Sequence, residues 1–224
     1  MLWACLRVWG GNSPGMFTGL IEAMGELVGS EATAAGRRLV VEVRGWGYTA
    51  RRGDSVAVNG VCLTAVRDSG VGGVGRFEFD VVPETLSKTT LGGLSVGARV
   101  HVEQAATMAT LLGGHMVQGH VDGVGRVVAN GERKEGGWVL EIECPAGTME
   151  YMVPKGSVAV EGVSLTLAAV EAGAGRISIA LIPTTLEKTT LGGLRPGDGV
   201  NIECDGMAKT VVQYLKHFLR GEKP

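Results

Sequence analysis

The sequence predicts an all-β fold built from two similar domains, with a single helix after the second. The segment PETLSKTTLGGL at 83–94 reappears as PTTLEKTTLGGL at 183–194. VAVNGVCLT at 56–64 recurs as VAVEGVSLT at 158–166, and 17–25 corresponds to 117–125. Short runs rich in Val, Ile, Leu and Thr, separated by Gly and Asp, are typical of an all-β sandwich or barrel.

Two copies of about ninety residues are too few and too long for a solenoid array, so each copy is interpreted as a small domain. We place the domains at 16–112 and 113–205, with a linker near 105–114 and a helical tail at 206–224. Residues 1–15 lie outside the repeat, and we expect a disordered extension there. Arg7 interrupts their short apolar stretch, which argues against a secretory signal. An upstream start codon and a remnant of a targeting segment both remain open.

Each repeat is predicted to contain about six short strands, bounded by Gly and Asp. In the first they fall near 17–28, 38–45, 55–60, 61–68, 76–82 and 98–104, and in the second near 116–129, 137–144, 157–162, 163–171, 176–182 and 199–204. Pro83 and Pro183 are each expected to open a short helical turn, because Pro is favoured at the first helical position. Thr184 and Glu187 have the spacing of a capping box.

The segment 206–220 has no counterpart in the first repeat, and its apolar residues recur at helical spacing. These residues are Val211, Val212, Tyr214, Leu215, Phe218 and Leu219. One apolar stripe on a terminal helix has two uses. The helix packs on its own barrel, or it associates with copies of itself.

Composition excludes several functional classes. The net charge of −2 and the lack of a Lys/Arg cluster argue against a nucleic-acid-binding surface. No apolar run approaches the ~18 residues needed to span a bilayer, so no membrane partner is expected. The four cysteines are widely spaced without a CxxC pair, which favours reduced thiols and a cytoplasmic location. An organellar location would follow if residues 1–15 were a targeting remnant.

Two motifs are better explained by structure than by chemistry. GVGGVG at 70–75 matches a dinucleotide-binding pattern, but RFEFDV follows it and alternates as a strand, so we predict a hairpin loop. His115 and His120 lie five residues apart on a predicted strand and would face opposite sides. No Cys/His spacing fits zinc, and no metal site is predicted.

Differences between the repeats indicate where function lies. A lone Cys within a strand is usually a small core residue, but the repeat counterpart of Cys62 is Ser164, which indicates a polar, ligand-facing position. Three further pairs differ: His120 with Leu20, Asn59 with Glu161 and Glu84 with Thr184. Such asymmetry is what duplicated pockets need if they bind two similar ligands and treat them differently.

Taken together, these blocks resemble the alpha-chain riboflavin synthase family over residues 16 to about 219. The motifs that carry the resemblance are MFTG at 16–19, NGVCLT at 59–64, GGHMVQGH at 113–120, EGVSLT at 161–166, VNIECD at 200–205 and both KTTLGG loops. The resemblance implies two tandem six-stranded antiparallel Greek-key β-barrels with a C-terminal α-helix, assembled as a homotrimer.

The resemblance also implies the reaction. Two molecules of 6,7-dimethyl-8-ribityllumazine exchange a four-carbon unit to give riboflavin and 5-amino-6-(D-ribitylamino)uracil. Donor and acceptor are the same compound, which explains why a duplicated pocket suits the task. No external cofactor and no metal are implied, and association with lumazine synthase is left open.

In the family, one lumazine lies in the N-terminal barrel of one subunit and the other in the C-terminal barrel of a neighbour. Carried over by position, the first pocket uses Cys62, Leu63, Thr64, Asp80, Val81, Val82, Pro83, Glu84, Thr85, Gly119, His120, Val121 and Lys155. The second uses Ser164, Leu165, Thr166, Ala180, Leu181, Ile182, Pro183, Thr184, Thr185, Gly19, Leu20 and Ile21. The residues matched to the chemistry are Cys62, His120, Ser164, Ser55, Asp205 and Phe17. Residues 1–15, if retained, depart from the family pattern and could crowd Phe17.

The chemistry fits these residue types. A ring-edge methyl group must lose a proton and C7 of the partner ring must be attacked. His120 is the obvious proton carrier, because histidine is the residue type that exchanges protons near neutral pH. Cys62 or Ser164 could add to a ring carbon or orient water, and the residues do not choose between them. Stacking the two rings in register can supply roughly 7–11 kcal/mol.

Two other functions remain as alternatives. A non-catalytic lumazine- or flavin-binding paralogue would depart at the active-site residues, all of which are present here. The flavin-binding barrel of an oxidoreductase would be followed by a nicotinamide domain, and none follows.

Overall fold

A computed structural model describes residues 15–70, 73–134 and 136–219, and it confirms the predicted all-β fold. The first barrel consists of β1 (Ala23–Thr33), β2 (Gly36–Arg44), β3 (Ser55–Val58), β4 (Val61–Thr64), β5 (Val74–Val81) and β6 (Arg99–Gln104). The second consists of β7 (Gly123–Glu132), β8 (Trp138–Glu143), β9 (Ser157–Val160), β10 (Val163–Glu171), β11 (Arg176–Leu181) and β12 (Gly199–Cys204).

The two barrels share one antiparallel topology, in which the last strand returns to lie between the first and the third. The first sheet has the order β4-β3-β6-β1-β2-β5, and its two edge strands meet through an isolated bridge between Ala65 and Phe79. The second has the equivalent order and is fully closed, because β10 pairs with both β9 and β11. The expectation of two six-stranded Greek-key barrels is therefore confirmed.

Each barrel encloses its own apolar core, supplied by alternate residues of the strands. Leu39, Val41 and Val43 of β2 point inward and are almost completely buried. Leu140 and Ile142 of β8 do the same in the second barrel. Because successive side chains of a strand face opposite sides, the intervening residues lie on the outer face of the barrel, where Val40 is also buried and Glu42 is half-buried.

The first strand of each barrel begins later than predicted, at Ala23 instead of 17 and at Gly123 instead of 116. The residues before it, 17–22 and 117–122, form extended segments that cross to the other barrel, and we call them the crossing segments. Gly19 and Gly119 turn these segments with φ of 73° and 74°, in the left-handed region that favours glycine. Phe17 and Val117 join the two segments through a pair of backbone hydrogen bonds of 2.7 and 3.0 Å.

A buried polar network joins the barrels around a pseudo-twofold axis. His101 Nδ1 lies 2.8 Å from the carbonyl oxygen of Glu161, and in the symmetric position the Asn201 amide donates to the carbonyl of Asn59 (2.9 Å). The counterparts Asn59 and Glu161 therefore differ at the junction between the barrels. Neither residue lines the two equivalent clefts described below, and the assignment of this difference to the ligand pockets stays a prediction.

Gly60 and Gly162 bring the two barrels into backbone contact. A Cβ atom added to Gly60 would lie 2.5 Å from the backbone nitrogen of Gly162, and one added to Gly162 would lie 2.6 Å from that of Gly60. Both residues also have positive φ, 75° and 80°. Only glycine fits at this contact, which accounts for the repeated N/E-G-V sequence at 59–61 and 161–163.

The short helices begin where predicted. Pro83 opens α1 (Pro83–Lys88) and Pro183 opens α2 (Pro183–Lys188). The predicted capping box is wrong, because the residue that caps α2 is Ile182 and no side chain bonds the free amides there. The run at 70–75 leads into strand β5, as predicted, although residues 71–72 lie outside the described ranges.

The terminal helix α3 (Gly206–Leu219) lies on the barrel surface without burying a side chain. Two ion pairs attach it, Lys209–Asp122 (2.7 Å) and Lys216–Glu150 (2.6 Å). No helix within the described residues is long and apolar enough to cross a bilayer. The described cysteines, Cys62, Cys144 and Cys204, are free thiols, and Cys5 lies outside the described residues.

Candidate functional site

Two clefts of nearly equal size lie at equivalent positions of the two barrels, with volumes of about 280 and 270 Å³. Each is bounded by a strand edge, a short Pro-initiated helix and the crossing segment from the other barrel. The N-terminal cleft is lined by Val61, Cys62, Glu84, Thr85, Lys88, Thr89, Gly119, His120 and Val121. The C-terminal cleft is lined by Gly19, Leu20, Ile21, Val163, Ser164, Ile182, Thr184, Thr185, Lys188 and Thr189.

The crossing segments explain why each cleft takes residues from both repeats. The Cys62 amide donates to the Gly119 carbonyl (2.9 Å), and the Ser164 amide donates to the Gly19 carbonyl (2.8 Å). Each segment therefore continues the edge of a strand in the other barrel. This brings His120 beside Cys62 and Leu20 beside Ser164, as the sequence predicts.

Cys62 sits in the N-terminal cleft as a protonated thiol. Burial raises its pKa above the ordinary thiol value, while the Ser55 hydroxyl and the Gly15 backbone beside it oppose that shift. Ser55 thus lies next to Cys62, where the predictions placed it. Gly15 is buried within the fold, so the expected extension cannot include it, and residues 1–14 lie outside the described ranges. A protonated thiol is a weak nucleophile at neutral pH.

In the C-terminal cleft, Ser164 has a partner that the sequence interpretation missed. Its Oγ lies 2.7 Å from Nδ1 of His115. Burial lowers the pKa of His115, and the nearby Asp205 carboxylate partly offsets this. The imidazole is therefore neutral near pH 7 and can accept or donate a proton at the serine hydroxyl.

His115 was missed because residues 116–122 were predicted to form a strand. No strand forms there, so the argument that His115 and His120 face opposite sides of one strand fails. Instead His120 is exposed at the N-terminal cleft, and His115 reaches the C-terminal one. The repeat offered a signal, since the counterpart of His115 is Gly15.

Asp205 and Phe17 do not line either cleft. Asp205 caps α3 by accepting the Met207 amide (2.8 Å) and acts on His115 through its charge. Phe17 is completely buried between the barrels, in a small cluster with Ala57, Val117 and Ala159 that packs against Cys62. Phe17 thus supports Cys62 from the interior, and its side chain does not reach the cleft surface.

Several residues assigned to the pockets point elsewhere. Leu63, Val81, Leu165 and Leu181 are buried in the barrel cores, because side chains alternate between the inner and outer faces of a strand. Asp80 faces solvent and forms a two-bond ion pair with Arg38 (2.8 Å each). Further residues that were predicted to bind substrate also lie outside the linings of the two clefts, namely Thr64, Val82, Pro83, Lys155, Thr166, Ala180 and Pro183.

Two lysines belong to the clefts although they were not predicted there. Lys88 and Lys188 occupy equivalent positions of the KTTLGG loops. In the N-terminal cleft, Lys88 pairs with Glu84 (2.8 Å) one helical turn before it. Thr184 replaces that carboxylate in the second repeat, so the two clefts differ in charge as well as in their nucleophilic groups.

Comparison with known families agrees with this geometry. The lumazine binding domain matches twice, over residues 18–105 and 118–205. Riboflavin synthase of Mycobacterium tuberculosis is 44% identical over 203 residues, covering 90% of this chain and 98% of that protein. Riboflavin synthase of Chlamydia pneumoniae is 38% identical over 205 residues, covering 91% and 97%.

Solved structures show the same fold. LumP in complex with riboflavin superimposes with a TM-score of 0.67 at 25% identity, covering 84% of this chain and 98% of LumP. LumP in complex with 6,7-dimethyl-8-(1'-D-ribityl) lumazine gives a TM-score of 0.67 at 23% identity, with the same coverage. With two lumazine binding domains and relatives this similar over nine-tenths of its length, the chain belongs to the riboflavin synthase family.

Proposed function

We propose that this chain forms riboflavin from two molecules of 6,7-dimethyl-8-ribityllumazine. One lumazine gives a four-carbon unit to the other, and the donor leaves as 5-amino-6-(D-ribitylamino)uracil, so the atoms of two substrates equal those of two products. The observation that carries the proposal is the pair of clefts, equal in scaffold and unequal in reactive groups. Family membership supports the same reaction.

The N-terminal cleft supplies the proton carrier. His120 is exposed at its wall, opposite the α1 residues Glu84 and Thr85. It can take a proton from the ring-edge methyl group of a bound lumazine, which generates the carbanion that attacks the second ring. The neutral Cys62 thiol beside it packs against the ring or donates a hydrogen bond, a role that needs no thiolate.

The C-terminal cleft supplies an activated hydroxyl. The neutral His115 imidazole at 2.7 Å can accept the Ser164 proton while Oγ, or a water bound to it, adds to an electrophilic ring carbon. The hydroxyl therefore has a hydrogen-bonded general base, whereas the Cys62 thiol is flanked by the Ser55 hydroxyl and the Gly15 backbone. Of the two candidate nucleophiles, Cys62 and Ser164, the proposal therefore assigns the role to Ser164.

In this proposal the protein is a trimer, and each reaction uses the N-terminal cleft of one subunit and the C-terminal cleft of its neighbour. Helix α3 supports it, because most of its apolar residues stay exposed on the surface of their own barrel. Met207, Val211, Tyr214, Leu215, Phe218 and Leu219 are each at least 49% exposed. A cytoplasmic location is part of the same proposal, and so is the absence of a cofactor.

The direct test is incubation of the purified full chain with 6,7-dimethyl-8-ribityllumazine as the only reactant. We expect riboflavin and 5-amino-6-(D-ribitylamino)uracil to accumulate in equal amounts while two lumazines disappear. Chromatography with absorbance detection measures all three compounds. Tight binding of lumazine without any riboflavin would instead identify a non-catalytic lumazine-binding protein and contradict the proposal.

A further inference from the structure

Two buried carboxylates lie behind the crossing segments, at equivalent positions of the repeats. Glu103 is on β6 and Glu203 on β12, and their exposed fractions are 3% and 4%. Neither lines a cleft, and none of the steps proposed above uses them. Burial of a carboxylate costs free energy unless the carboxylate is hydrogen-bonded, so the hydrogen bonds that each one forms indicate its role.

Glu103 binds the first crossing segment through three hydrogen bonds. Its Oε1 accepts from the amide and the hydroxyl of Thr18 (2.6 and 2.7 Å), and its Oε2 accepts from the Gly19 amide (3.1 Å). The same two residues then contact the second barrel. The Thr18 carbonyl accepts from the His115 amide (3.2 Å), and the Gly19 carbonyl accepts from the Ser164 amide (2.8 Å).

Glu203 binds the second crossing segment with fewer bonds. Its Oε1 accepts from the Gln118 amide (2.7 Å), whereas its buried Oε2 has no hydrogen-bond partner within the described residues. Gln118 replaces Thr18 here and supplies no hydroxyl to the carboxylate. The next residue, Gly119, accepts from the Cys62 amide, and His120 follows it in the N-terminal cleft.

We propose that Glu103 and Glu203 are positioning residues, each of which holds the crossing segment that completes the cleft of the other barrel. Glu203 fixes His120 at the N-terminal cleft through Gln118 and Gly119. Glu103 fixes the His115–Ser164 pair at the C-terminal cleft through Thr18 and Gly19. A proton carrier displaced by about 1 Å loses a large part of its effect, so such clamps bear directly on turnover.

The second clamp is also connected to the terminal helix. Lys209 of α3 pairs with Asp122 at the end of the second crossing segment (2.7 Å), and Asp122 Oδ2 accepts from the Cys204 amide (2.8 Å). Burial raises the pKa of Glu203, and the Gln118 amide and the Lys209 ammonium partly offset this. The segment that carries His120 is thus bound at two points, by Glu203 at Gln118 and by Lys209 of α3 at Asp122.

The test compares Glu203→Met with Glu103→Met in the full chain, each serving as the matched control for the other. Methionine keeps the length of the side chain but replaces the accepting carboxylate with a weakly accepting thioether, so the bound segment loses its hydrogen bonds to the carboxylate. Hydrogen exchange, followed by mass spectrometry of peptides covering 16–22 and 116–122, measures the opening of each segment.

We expect Glu203→Met to raise exchange at 116–122 at least tenfold and to change exchange at 16–22 less than twofold, with the reverse for Glu103→Met. Both variants should lower kcat at least tenfold while KM changes less than threefold, because a displaced catalytic group acts on the transition state. A general loss of stability would raise exchange in both segments together, and that result would overturn the proposal. Unchanged exchange in both segments, or local opening with wild-type kcat, would overturn it too.

Two milder variants protect the test against misfolding. Thr18→Val keeps the shape of the side chain and removes one bond to Glu103, so exchange should rise at 16–22 alone. Gln118→Thr copies the first repeat and offers a hydroxyl to Glu203, so exchange at 116–122 should fall. The positioning role rests on the proposed function of the clefts, but the exchange readout does not. If the wild-type chain made no riboflavin, the proposed function would fail while the exchange data still decided whether the clamps exist.

Discussion

At the scale of single residues, the two clefts divide the chemistry. One holds an exposed histidine beside a protonated thiol, and the other holds a serine hydroxyl beside a half-buried neutral histidine. In the first repeat, the counterpart of His120 is Leu20 and the counterpart of His115 is Gly15. The asymmetry thus lies in side chains that the shared backbone presents at equivalent places.

Replacing His120 by the residue of the first repeat tests its role as proton carrier. His120→Leu should lower kcat roughly 10²–10⁴-fold, because a positioned general base contributes about that much. The side chain is exposed, so the unfolding midpoint should stay near that of the wild-type protein. Steady-state kinetics with a parallel denaturant titration measures both. Wild-type turnover in the variant would rule out His120 as the proton carrier.

At the scale of elements, the repeat predicted more than the strand pattern did. Matched blocks in both halves predicted two equal barrels, and the shared loops predicted equivalent clefts. Apolar alternation could not distinguish residues 17–22 from the strand that follows, because a crossing segment that pairs with another barrel has the same extended pattern. Contacts between distant parts of the chain, such as His115 with Ser164, leave no periodic signal at all.

The junction between the barrels makes its own prediction at this scale. Gly60→Ala would place a Cβ atom 2.5 Å from the Gly162 nitrogen, so the barrels must separate or the backbone must strain. We expect a loss of about 1–3 kcal/mol in the free energy of unfolding.

Gly45→Ala is the matched control for this variant. Gly45 also has positive φ (68°), but an added Cβ would meet nothing within 4 Å. Both variants strain the backbone, but only Gly60→Ala also brings a Cβ atom against the other barrel. The difference between their free energies of unfolding, measured with a denaturant, therefore gives the cost of that close approach. Equal losses in the two would show that the contact between Gly60 and Gly162 does not constrain the junction.

At the scale of the whole molecule, stability depends on buried ionisable groups at the junction. The Thr190 amide donates to Nε2 of His101 (2.9 Å), so the proton of the ring is on Nδ1, which donates to the Glu161 carbonyl. Burial lowers the pKa of His101 to about 4 from 6.5. Burial also raises the pKa of the Glu161 carboxyl to about 7 from 4.5.

The two groups affect stability in opposite directions as pH changes. Between pH 6.5 and about 4, His101 is protonated in the unfolded chain but not in the folded one. The contribution of His101 to the free energy of unfolding is therefore fully present above pH 6.5 and is lost as the pH falls to about 4. The stabilisation from Glu161 is present below pH 4.5 and lost as pH rises to about 7. Acidification therefore moves the two contributions against each other.

His101→Asn isolates the histidine, since it copies Asn201 from the second repeat and keeps a donor for the Glu161 carbonyl. As the pH falls from 7 to 4, the wild-type protein loses the contribution of His101 and the variant does not. The free energy of unfolding of the variant should therefore rise by about 3 kcal/mol relative to that of the wild-type protein, at ~1.4 kcal/mol per pKa unit. Urea titrations at both pH values measure the difference. An identical pH dependence in the two proteins would contradict the buried neutral state of His101.

The proposed trimer can be tested at the same scale. Leu215→Glu with Phe218→Glu places charges on the exposed apolar stripe of α3 and leaves the ion pairs of Lys209 and Lys216 intact. We expect monomers by light scattering, and deletion of 207–224 should give the same result. A variant that remained trimeric would show that α3 does not hold the assembly.

The central claim is that one reaction uses the N-terminal cleft of one subunit and the C-terminal cleft of another. The most direct measurement is complementation between two variants, each defective in one cleft. His120→Leu impairs the N-terminal cleft and Ser164→Ala impairs the C-terminal one, so each protein alone should be nearly inactive. When they are co-expressed and purified together, random assortment within a cyclic trimer should restore about a quarter of the sites. Recovery of about a quarter of wild-type turnover would support the account, and mixed trimers no more active than either parent would contradict it.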